Sequence, residues 1–300
     1  MSFACFAVDQ FLVPSDYQLV QLASGARTLF SSAYGEKMHP GLGPRAEADL
    51  LYVRQLNICE RLKNNSGEFV IWDVGLGAAA NTIAALQATL EISGQLRIIS
   101  FDNTSAPLKF ALENAAALGY PAGYENQIAG LLRERRVEFE NGKLKVNWEF
   151  QPGDFPALLP SLKFKTQNSK LAPPPHAIFY DAFSPAKNPA MWTLPLFENL
   201  RRALDPAQPC ALTTYSRSTM IRATLLLAGF FVGTGQATGL KEETTVAANS
   251  LALISDPLNE RWLERALRSH SAEPLREPVY SRAPLCPATA EQLRQLPQLN

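Results

Sequence analysis

The 300-residue sequence lacks several features that would place it in a specialised class. No apolar run approaches the roughly 18 residues that a membrane-spanning helix needs, which argues against a membrane protein. The first nine residues have no basic region ahead of their apolar stretch, so we expect no secretory signal. Lys plus Arg and Asp plus Glu both total 28, and this balance argues against a surface that is basic over its whole extent.

Cysteine and histidine are scarce as well. The four cysteines, Cys5, Cys59, Cys210 and Cys286, are far apart, and the three histidines do not cluster. Paired Cys-x-x-Cys spacing, which structural zinc sites require, does not occur. We therefore expect no metal site and no disulfide framework, and sparse thiols of this kind favour a reducing, cytoplasmic location.

Short apolar runs alternate with helical patterns through the middle of the chain. The predicted strands are residues 69–74, 96–101, 143–150, 176–180 and 210–215. The predicted helices among them are residues 79–90, 106–118, 193–204 and 218–227, with a polar insert before residue 143. Such alternation predicts a parallel sheet covered by helices on both faces, a Rossmann-like doubly wound α/β fold.

Other segments flank this alternating region. Residues 17–30 predict a β-hairpin, and residues 45–63 predict one helix. Residues 230–233 and 244–254 predict a strand pair that would give the sheet an antiparallel edge. After an amphipathic helix at 260–268, prolines become frequent, so we divide the chain into a domain at 1–255 and a loosely attached extension at 256–300.

The first predicted strand leads into Asp73-Val-Gly75-Leu-Gly77, which lies before a helix. Glycines at this turn let the backbone approach a ligand closely. A dinucleotide would place its pyrophosphate here, and the Asp73 carboxylate would repel it, which disfavours a nicotinamide dehydrogenase. A carboxylate favours a cationic ligand instead, and S-adenosylmethionine carries both a sulfonium and an ammonium group.

Two further acids follow strands. Asp102 ends the second strand, where a carboxylate can accept hydrogen bonds from both hydroxyls of a ribose. Asp154 follows the next strand, at the edge where an adenine would lie. Acids in such places also serve as helix caps, but three acids at three strand ends favour a cofactor pocket.

The segment DAFSPAKNPAMW, residues 181–192, follows a strand that is predicted to be buried. This position puts Asp181 at the carboxyl end of the strand, over the ligand crevice. Trp192 offers a flat apolar surface, either for a nucleic-acid base or for packing in the core. Lys187 and, after a later strand, Arg217 are predicted to lie at the mouth of the site.

This segment resembles the signature of the MnmC-like methyltransferases, which convert a 5-aminomethyl group on the wobble uridine of tRNA to 5-methylaminomethyl. The motif YGEKMHP at 34–40, the glycine turn at 73–81 and the stretch from Thr214 to Phe230 are similar to other parts of that family. The likeness runs from about residue 18 to about residue 252. It implies a methyltransferase domain alone, without the oxidase domain of some relatives, and S-adenosylmethionine as cofactor.

The resemblance also assigns roles to individual residues. It implies a cofactor pocket made by Asp73, Gly75, Gly77, Asn81, Asp102 and Asp154. It implies that Asp181 is the catalytic carboxylate beside the substrate amine, where a carboxylate can orient the nitrogen and take its proton. Glu36 and His39, in the YGEKMHP motif, join Lys187, Trp192 and Arg217 as predicted substrate-binding residues.

The acceptor stays open between two classes of amine. Basic clusters at 133–136, 163–165, 201–202 and 261–268 could contact tRNA locally, although such runs are usually solvated helix faces. Residues 239–244 read GLKEET where the family has a basic segment, and Glu242 with Glu243 favours a small polyamine-like acceptor. A third hypothesis is a non-catalytic binding module that recruits a partner through the Pro-rich tail.

Overall fold

The protein structure, a computed structural model, describes residues 16–162, 172–238 and 241–300. The predictions about the first nine residues and the basic pair at 163–165 lie outside these ranges. The strands are β1 (Tyr17–Gln21), β2 (Arg27–Ser31), β3 (Glu36–Lys37), β4 (Glu68–Val74), β5 (Gly94–Asp102), β6 (Arg136–Asn141), β7 (Leu144–Pro152), β8 (Ala177–Tyr180), β9 (Ala211–Thr214), β10 (Phe231–Gly235) and β11 (Thr244–Ala248).

The α-helices alternate with these strands. They are α1 (Pro44–Ala48), α2 (Ile58–Lys63), α3 (Ala80–Ala88), α4 (Ala106–Glu113), α5 (Ala115–Leu118), α6 (Glu125–Glu134), α7 (Phe155–Leu158), α8 (Leu194–Ala203), α9 (Thr219–Leu227), α10 (Glu260–Leu267) and α11 (Pro287–Arg294). No helix in the described part of the chain is both long enough and apolar enough to cross a membrane.

Eight strands form the central sheet in the order β10-β11-β9-β8-β4-β5-β7-β6. The five inner strands from β9 to β7 are parallel, whereas β6 pairs antiparallel with β7, and β11 pairs antiparallel with β9 and β10. The predicted doubly wound fold and its antiparallel edge are confirmed. The chain moves outward from β4 to β5 and β7, then returns to β8 on the other side, so strand order reverses between β4 and β8. Ligands of such folds bind at this reversal.

The sheet is buried on both faces. Successive side chains of a strand point to opposite sides of the sheet, and both sides pack into apolar cores. Ile71 and Phe179 pack into the core on one face, whereas Trp72 and Tyr180 pack into the core on the other. This burial explains why the inner strands are continuous apolar runs.

The predicted N-terminal hairpin is present and carries a third short strand. β1 pairs antiparallel with β2, and β2 pairs with β3, which the sequence did not reveal. The polar insert before residue 143 is also more regular than predicted, since it contains α6 and β6. Because β6 lies at the sheet edge and alternates exposed with half-buried residues, it has no apolar run to signal a strand.

The prediction of one helix over residues 45–63 is wrong. The segment is divided into α1, a π-helical turn at Asp49–Arg54, and α2. Asn57 precedes α2 with φ 51°, a left-handed conformation that interrupts regular helix. The break positions α1 independently of α2, and α1 contributes to the site described below.

The prediction of a loosely attached C-terminal segment is also wrong. Trp262, Leu293 and Leu299 are buried in the core that contains Trp72 and Tyr180, although prolines are frequent in this segment. The Gln298 side chain accepts a hydrogen bond from the Val232 amide and donates one to the Val232 carbonyl, so the tail is fixed to β10. Proline frequency marks interrupted backbone but does not measure burial. The domain boundary at residue 255 stays a prediction.

Candidate active site

A cavity of about 490 Å³ opens at the carboxyl ends of β4, β5 and β8, where strand order reverses. Its volume is in the range of small-ligand pockets. The charged side chains that line it are Glu36, Lys37, Glu47, Asp102, Asp154, Asp181 and Lys241. Five acids against two lysines favour a ligand with positive charge.

The glycine turn after β4 forms one wall of the cavity. The Gly75 and Leu76 amides both donate to the Phe101 carbonyl, at 2.9 and 3.1 Å, which ties the turn to β5. Gly75 has φ 94°, and a Cβ there would lie 2.6 Å from the Asp181 carbonyl oxygen. A side chain at this position would therefore collide with the backbone that carries Asp181.

Asp102 ends β5 beside this turn. Its Oδ2 accepts a hydrogen bond of 2.9 Å from the Gly77 amide, and its Oδ1 accepts one of 3.2 Å from the Thr104 amide. Burial raises the pKa of Asp102, and these amide donors oppose the shift. Asp154 lies at the same cavity, is exposed, and precedes α7. The structure thus brings Gly75, Gly77, Asn81, Asp102 and Asp154 to one cavity.

Asp73 does not line the cavity, contrary to the prediction from its sequence position. It is fully buried beneath the glycine turn, where Thr82 Oγ1 and Ser100 Oγ donate to its Oδ2 at 2.8 and 2.9 Å. Its Oδ1 has no hydrogen-bond partner among the described residues. Burial raises the pKa of Asp73 to about 7, and the two hydroxyl donors only partly oppose this. Asp73 therefore joins α3 to β5, and other acids supply the negative surface.

Asp181 lies directly after β8, and its amide donates to the Val74 carbonyl at 2.9 Å. Its carboxylate Oδ2 accepts a hydrogen bond of 2.9 Å from Asn81 Nδ2, so α3 orients it. His39 Nε2 lies 3.5 Å from the same oxygen. Side chains from three separate segments therefore meet at Asp181 inside the cavity.

The loop after Asp181 is held by the N-terminal sheet. Glu36 of β3 accepts hydrogen bonds from both the amide and the hydroxyl of Ser184. Next to this contact, the rings of Tyr34 and Phe183 stack at a centroid distance of 4.0 Å and an interplanar angle of 16°. Both rings line the cavity and give it a flat aromatic wall. Sequence analysis placed Glu36 at the site but missed this pair.

Trp192 is not a surface for a substrate base. Its side chain is fully buried, its indole Nε1 donates to the Phe183 carbonyl at 2.8 Å, and it packs edge-on against Tyr180 and Tyr215. Of the two roles that sequence analysis considered for Trp192, packing is the correct one. Apolar neighbours around it come from α8 and β8, which the local motif did not reveal.

Lys187 and Arg217 lie outside the cavity lining and are exposed. Arg217 Nη1 is 3.8 Å from Glu242 Oε2, a surface ion pair of small energetic weight. Contacts of Lys187 and Arg217 with a substrate at the rim stay a prediction.

Lys241 and Lys37 are the two cavity lysines, and neither was predicted as a site residue. Lys241 Nζ donates to the Tyr215 carbonyl at 3.0 Å and lies 4.1 Å from the centroid of the Tyr215 ring. Burial lowers the pKa of Lys241, while the nearby Glu47 and Asp181 oppose that shift. The acidic sequence around Lys241 did not indicate that its side chain enters the cavity, because its partners come from other segments.

The two acids after Lys241 do not face the cavity. Glu243 Oε1 is 3.1 Å from Arg222 Nη1, and the Glu242 side chain points into solvent beside Arg217. Their contribution to an acidic acceptor site, as sequence analysis inferred, is wrong, because the ion pair with Arg222 turns Glu243 away. The described residues contain no group of three or more His, Cys, Asp or Glu that could hold a metal ion.

Comparison with known proteins agrees with this geometry. Residues 124–250 match the model of a family described as S-adenosyl-L-methionine-dependent methyltransferase. The crystal structure of MnmC2 from Aquifex aeolicus superposes with a TM-score of 0.66 at 27% identity, covering 96% of this chain and 86% of that one. Residues 124–250 thus match an S-adenosylmethionine-dependent methyltransferase family, and the chain has the fold of MnmC2.

Sequence relatives agree with the structural match. The bifunctional protein MnmC of Aeromonas hydrophila, named for tRNA 5-methylaminomethyl-2-thiouridine biosynthesis, is 28% identical over 233 residues, which are 73% of this chain and 33% of the relative. MnmC of Methylibium petroleiphilum is 27% identical over 244 residues, 76% of this chain and 34% of the relative. The methyltransferase therefore spans about a third of the length of these relatives, and the predicted MnmC-like resemblance is confirmed.

The residues at the glycine turn fit S-adenosylmethionine. Gly75 and Gly77 line this part of the cavity, and Asp102 presents a carboxylate there. The buried Asn81 Oδ1 has no hydrogen-bond partner among the described residues, so it can accept one from a ligand ammonium. The Asp102 carboxylate and the Asn81 oxygen suit a cationic cofactor.

Proposed function

We propose that this methyltransferase converts the 5-aminomethyl group of a wobble uridine in tRNA to 5-methylaminomethyl. The observation that carries the proposal is the position of Asp181, whose carboxylate faces the cavity next to the cofactor turn. The names of the MnmC relatives supply the substrate class, since they refer to the biosynthesis of that modified uridine.

In this proposal the cofactor end of the cavity is the turn at Gly75 and Gly77 together with Asn81, Asp102 and Asp154. Asp102 would accept hydrogen bonds from the ribose hydroxyls, and Asp154 would lie on the adenine side. S-adenosylmethionine supplies an electrophilic methyl group on a positively charged sulfur. The cavity residues bring the acceptor nitrogen in line with that methyl group, which is the main requirement for a displacement of this kind.

Asp181 acts on the acceptor amine. The nitrogen must be unprotonated to attack, and its lone pair forms the new C–N bond as the bond between carbon and sulfur breaks. Asp181 accepts a hydrogen bond from the amine and then takes the N–H proton that becomes acidic as this bond forms. Asn81 fixes the carboxylate for this task through the bond from its Nδ2 to Asp181 Oδ2.

The acceptor end has the side chains that a uracil base needs. The stacked pair Tyr34 and Phe183 offers an aromatic edge and face to the ring, and single-stranded RNA bases are commonly held by aromatic side chains. Lys241 supplies the cationic donor of this end, suited to a carbonyl oxygen of the base or to a phosphate.

A small free amine is the second candidate acceptor. The five acids that line the cavity favour it, because a polyamine carries several positive charges. The acid pair Glu242 and Glu243 no longer supports it, since both side chains lie outside the cavity lining.

The test is methyl transfer by the purified 300-residue chain in the presence of S-adenosylmethionine. One reaction contains tRNA from a strain whose wobble uridine stops at the 5-aminomethyl stage, and parallel reactions contain diamines and polyamines. Mass spectrometry of the nucleosides is expected to show the added methyl group in the tRNA reaction. Methylated polyamine with unchanged tRNA would instead identify the small amine as acceptor.

A matched pair of variants makes the test specific. Asp181→Asn keeps an acceptor for Asn81 but removes the proton-accepting carboxylate, so product formation is expected to slow by about a thousandfold. Asp256→Asn makes the same chemical change at an exposed side chain outside the cavity and is expected to retain activity. Equal product from wild type and Asp181→Asn would refute the assigned role.

A further inference from the structure

His39 lies between two carboxylates inside the cavity. Its Nε2 is 3.5 Å from Asp181 Oδ2, and its Nδ1 is 4.0 Å from Glu47 Oε2. The imidazole is largely shielded, with 11% of its side chain exposed. A histidine with an acid near each ring nitrogen can accept a proton on one side while the other acid stabilises the resulting positive charge.

The backbone around His39 is fixed in an uncommon conformation. His39 has φ 49°, in the left-handed region that residues other than glycine seldom occupy. The buried Glu47 of α1 accepts hydrogen bonds from the amides of Gly41 and Leu42, which follow His39 in the chain. This anchoring maintains the strained position, and such strain is found most often at functional sites.

We propose that His39 removes the proton from Asp181 during each catalytic cycle and that Glu47 is the positioning residue for His39. The inference rests on the proposed function, in which an amine proton reaches Asp181. That proton leaves the Asp181 carboxyl for His39 Nε2, so Asp181 returns to carboxylate and His39 becomes imidazolium. The imidazolium then releases the proton to solvent, and no other reactant is needed.

Other groups around the cavity do not offer an acceptor for the proton on Asp181. Asn81 already donates a hydrogen bond to Asp181, and its neutral amide group does not take up a proton. Lys241 donates to the Tyr215 carbonyl, and a charged lysine cannot accept a proton. The titratable groups that share the cavity with His39 are Tyr17, Tyr34, Glu36, Lys37, Glu47, Asp102, Asp154, Asp181, Tyr215 and Lys241. The buried Tyr52 also interacts with Asp181, and because burial and that carboxylate raise the pKa of Tyr52, its hydroxyl keeps its own proton and does not take one from Asp181. Only Glu47 and Asp181 among the described acids lie within 4.0 Å of the ring nitrogens.

The other two histidines provide a comparison. His176 Nδ1 accepts a hydrogen bond from the Val70 amide, and its ring stacks on Phe69, so it has a structural role. His270 is exposed and lies outside the cavity. His270 is therefore a matched control position for substitutions of His39.

The kinetic test compares His39→Asn with His270→Asn in the full chain. Asparagine tolerates the left-handed backbone, so the fold at position 39 is retained. We expect kcat to fall by about 10- to 100-fold in His39→Asn, with the Kd of S-adenosylmethionine changed less than about twofold. Added imidazole is expected to restore part of the rate, and the acid limb that a titrating histidine contributes to the pH profile is expected to disappear. Wild-type kcat in His39→Asn, or a slow rate with neither imidazole rescue nor an altered pH profile, would overturn the proposal.

A second measurement does not depend on the identity of the acceptor. Nuclear magnetic resonance compares the ring signals of His39 in wild type, Asp181→Asn and Glu47→Gln. Because a carboxylate lies beside each ring nitrogen, the His39 signals are expected to change in both variants, while those of His270 stay constant. Unchanged His39 signals in both variants would overturn the proposal even if tRNA is methylated. Changed signals in an enzyme that leaves tRNA unmodified would show that the contacts with Asp181 and Glu47 exist and that the proposed substrate is wrong.

Discussion

The cofactor end of the cavity and its acceptor end differ in how the chain builds them. The cofactor end comes from the glycine turn and Asp102, which follow neighbouring parallel strands. The acceptor end needs residues from β3, α1, the loop after β8 and the loop before β11, and these meet only in the folded protein. One end is thus fixed mainly by backbone, and the other by side chains from distant segments.

This difference has a consequence for specificity. A backbone-built end tolerates few substitutions, because the turn packs against the Asp181 carbonyl and the Phe101 carbonyl. The acceptor end can change one contributing loop while the cofactor end stays intact. Substitutions at the two ends should therefore separate cofactor binding from acceptor chemistry.

Asp181→Asn is expected to give the largest difference between the effect on kcat and the effect on cofactor affinity. Loss of the proton-accepting carboxylate should lower kcat by about a thousandfold, within the range for general base catalysis. Affinity for S-adenosylmethionine, measured by isothermal titration, should change little, because the Gly75 and Gly77 backbone is untouched. A parallel loss of cofactor affinity would show that the two ends are not separable.

Asp73 should affect stability rather than either end directly. Its raised pKa of about 7 means that the folded protein retains a proton that the unfolded chain releases above about pH 4. Stability attributable to this group should therefore fall as pH rises from about 4 to 7, by up to about 4 kcal/mol. The measurement is the free energy of unfolding in urea for wild type and Asp73→Asn across this range.

The control for Asp73 is the pH dependence of the difference in unfolding free energy between wild type and Asp73→Asn. Asn at position 73 leaves a buried amide without a partner, a cost that does not depend on pH. The stability difference between the two proteins should then vary between pH 4 and 7 and stay flat above pH 8. A constant difference at every pH would contradict the assignment.

Gly75→Ala should damage the cofactor end. The added Cβ would lie 2.6 Å from the Asp181 carbonyl oxygen at a residue with φ 94°, so we expect a loss of about 1–3 kcal/mol in stability and weaker cofactor binding. Gly67→Ala is the matched control, because a Cβ there meets nothing within 4 Å. Comparable losses in both variants would indicate a general intolerance of the fold.

Lys241→Gln should produce the smallest of these effects, confined to the acceptor end. We expect KM for tRNA to rise about tenfold, equivalent to about 1.4 kcal/mol, with cofactor affinity preserved. Arg217→Gln removes a cation that is exposed outside the cavity lining, so its effect on KM should be smaller. A larger effect from Arg217 than from Lys241 would place substrate binding at the rim.

The same contrast explains what sequence reasoning could reach. The parallel sheet, the glycine turn and the location of Asp181 follow from strand periodicity and from the rule that ligands lie at strand ends. Burial of Asp73 and Trp192 could not be inferred, because each depends on neighbours that the local motif does not contain. Lys241 escaped notice for the same reason, since its partner Tyr215 lies in another segment.

The C-terminal segment shows the limit of composition. Its prolines suggested little core, yet Leu293 and Leu299 are buried in the same core as Trp72 and Tyr180. A few well-placed apolar side chains decide burial there, and a high proline content does not prevent it.

A crystal structure of the chain with S-adenosylmethionine bound tests the proposed cofactor and acceptor ends most directly. We expect the adenosyl group against Gly75, Gly77 and Asp102, with the sulfonium methyl directed towards Asp181 and room for one acceptor nitrogen between them. A cofactor bound outside this cavity, or a methyl group directed away from Asp181, would contradict this expectation.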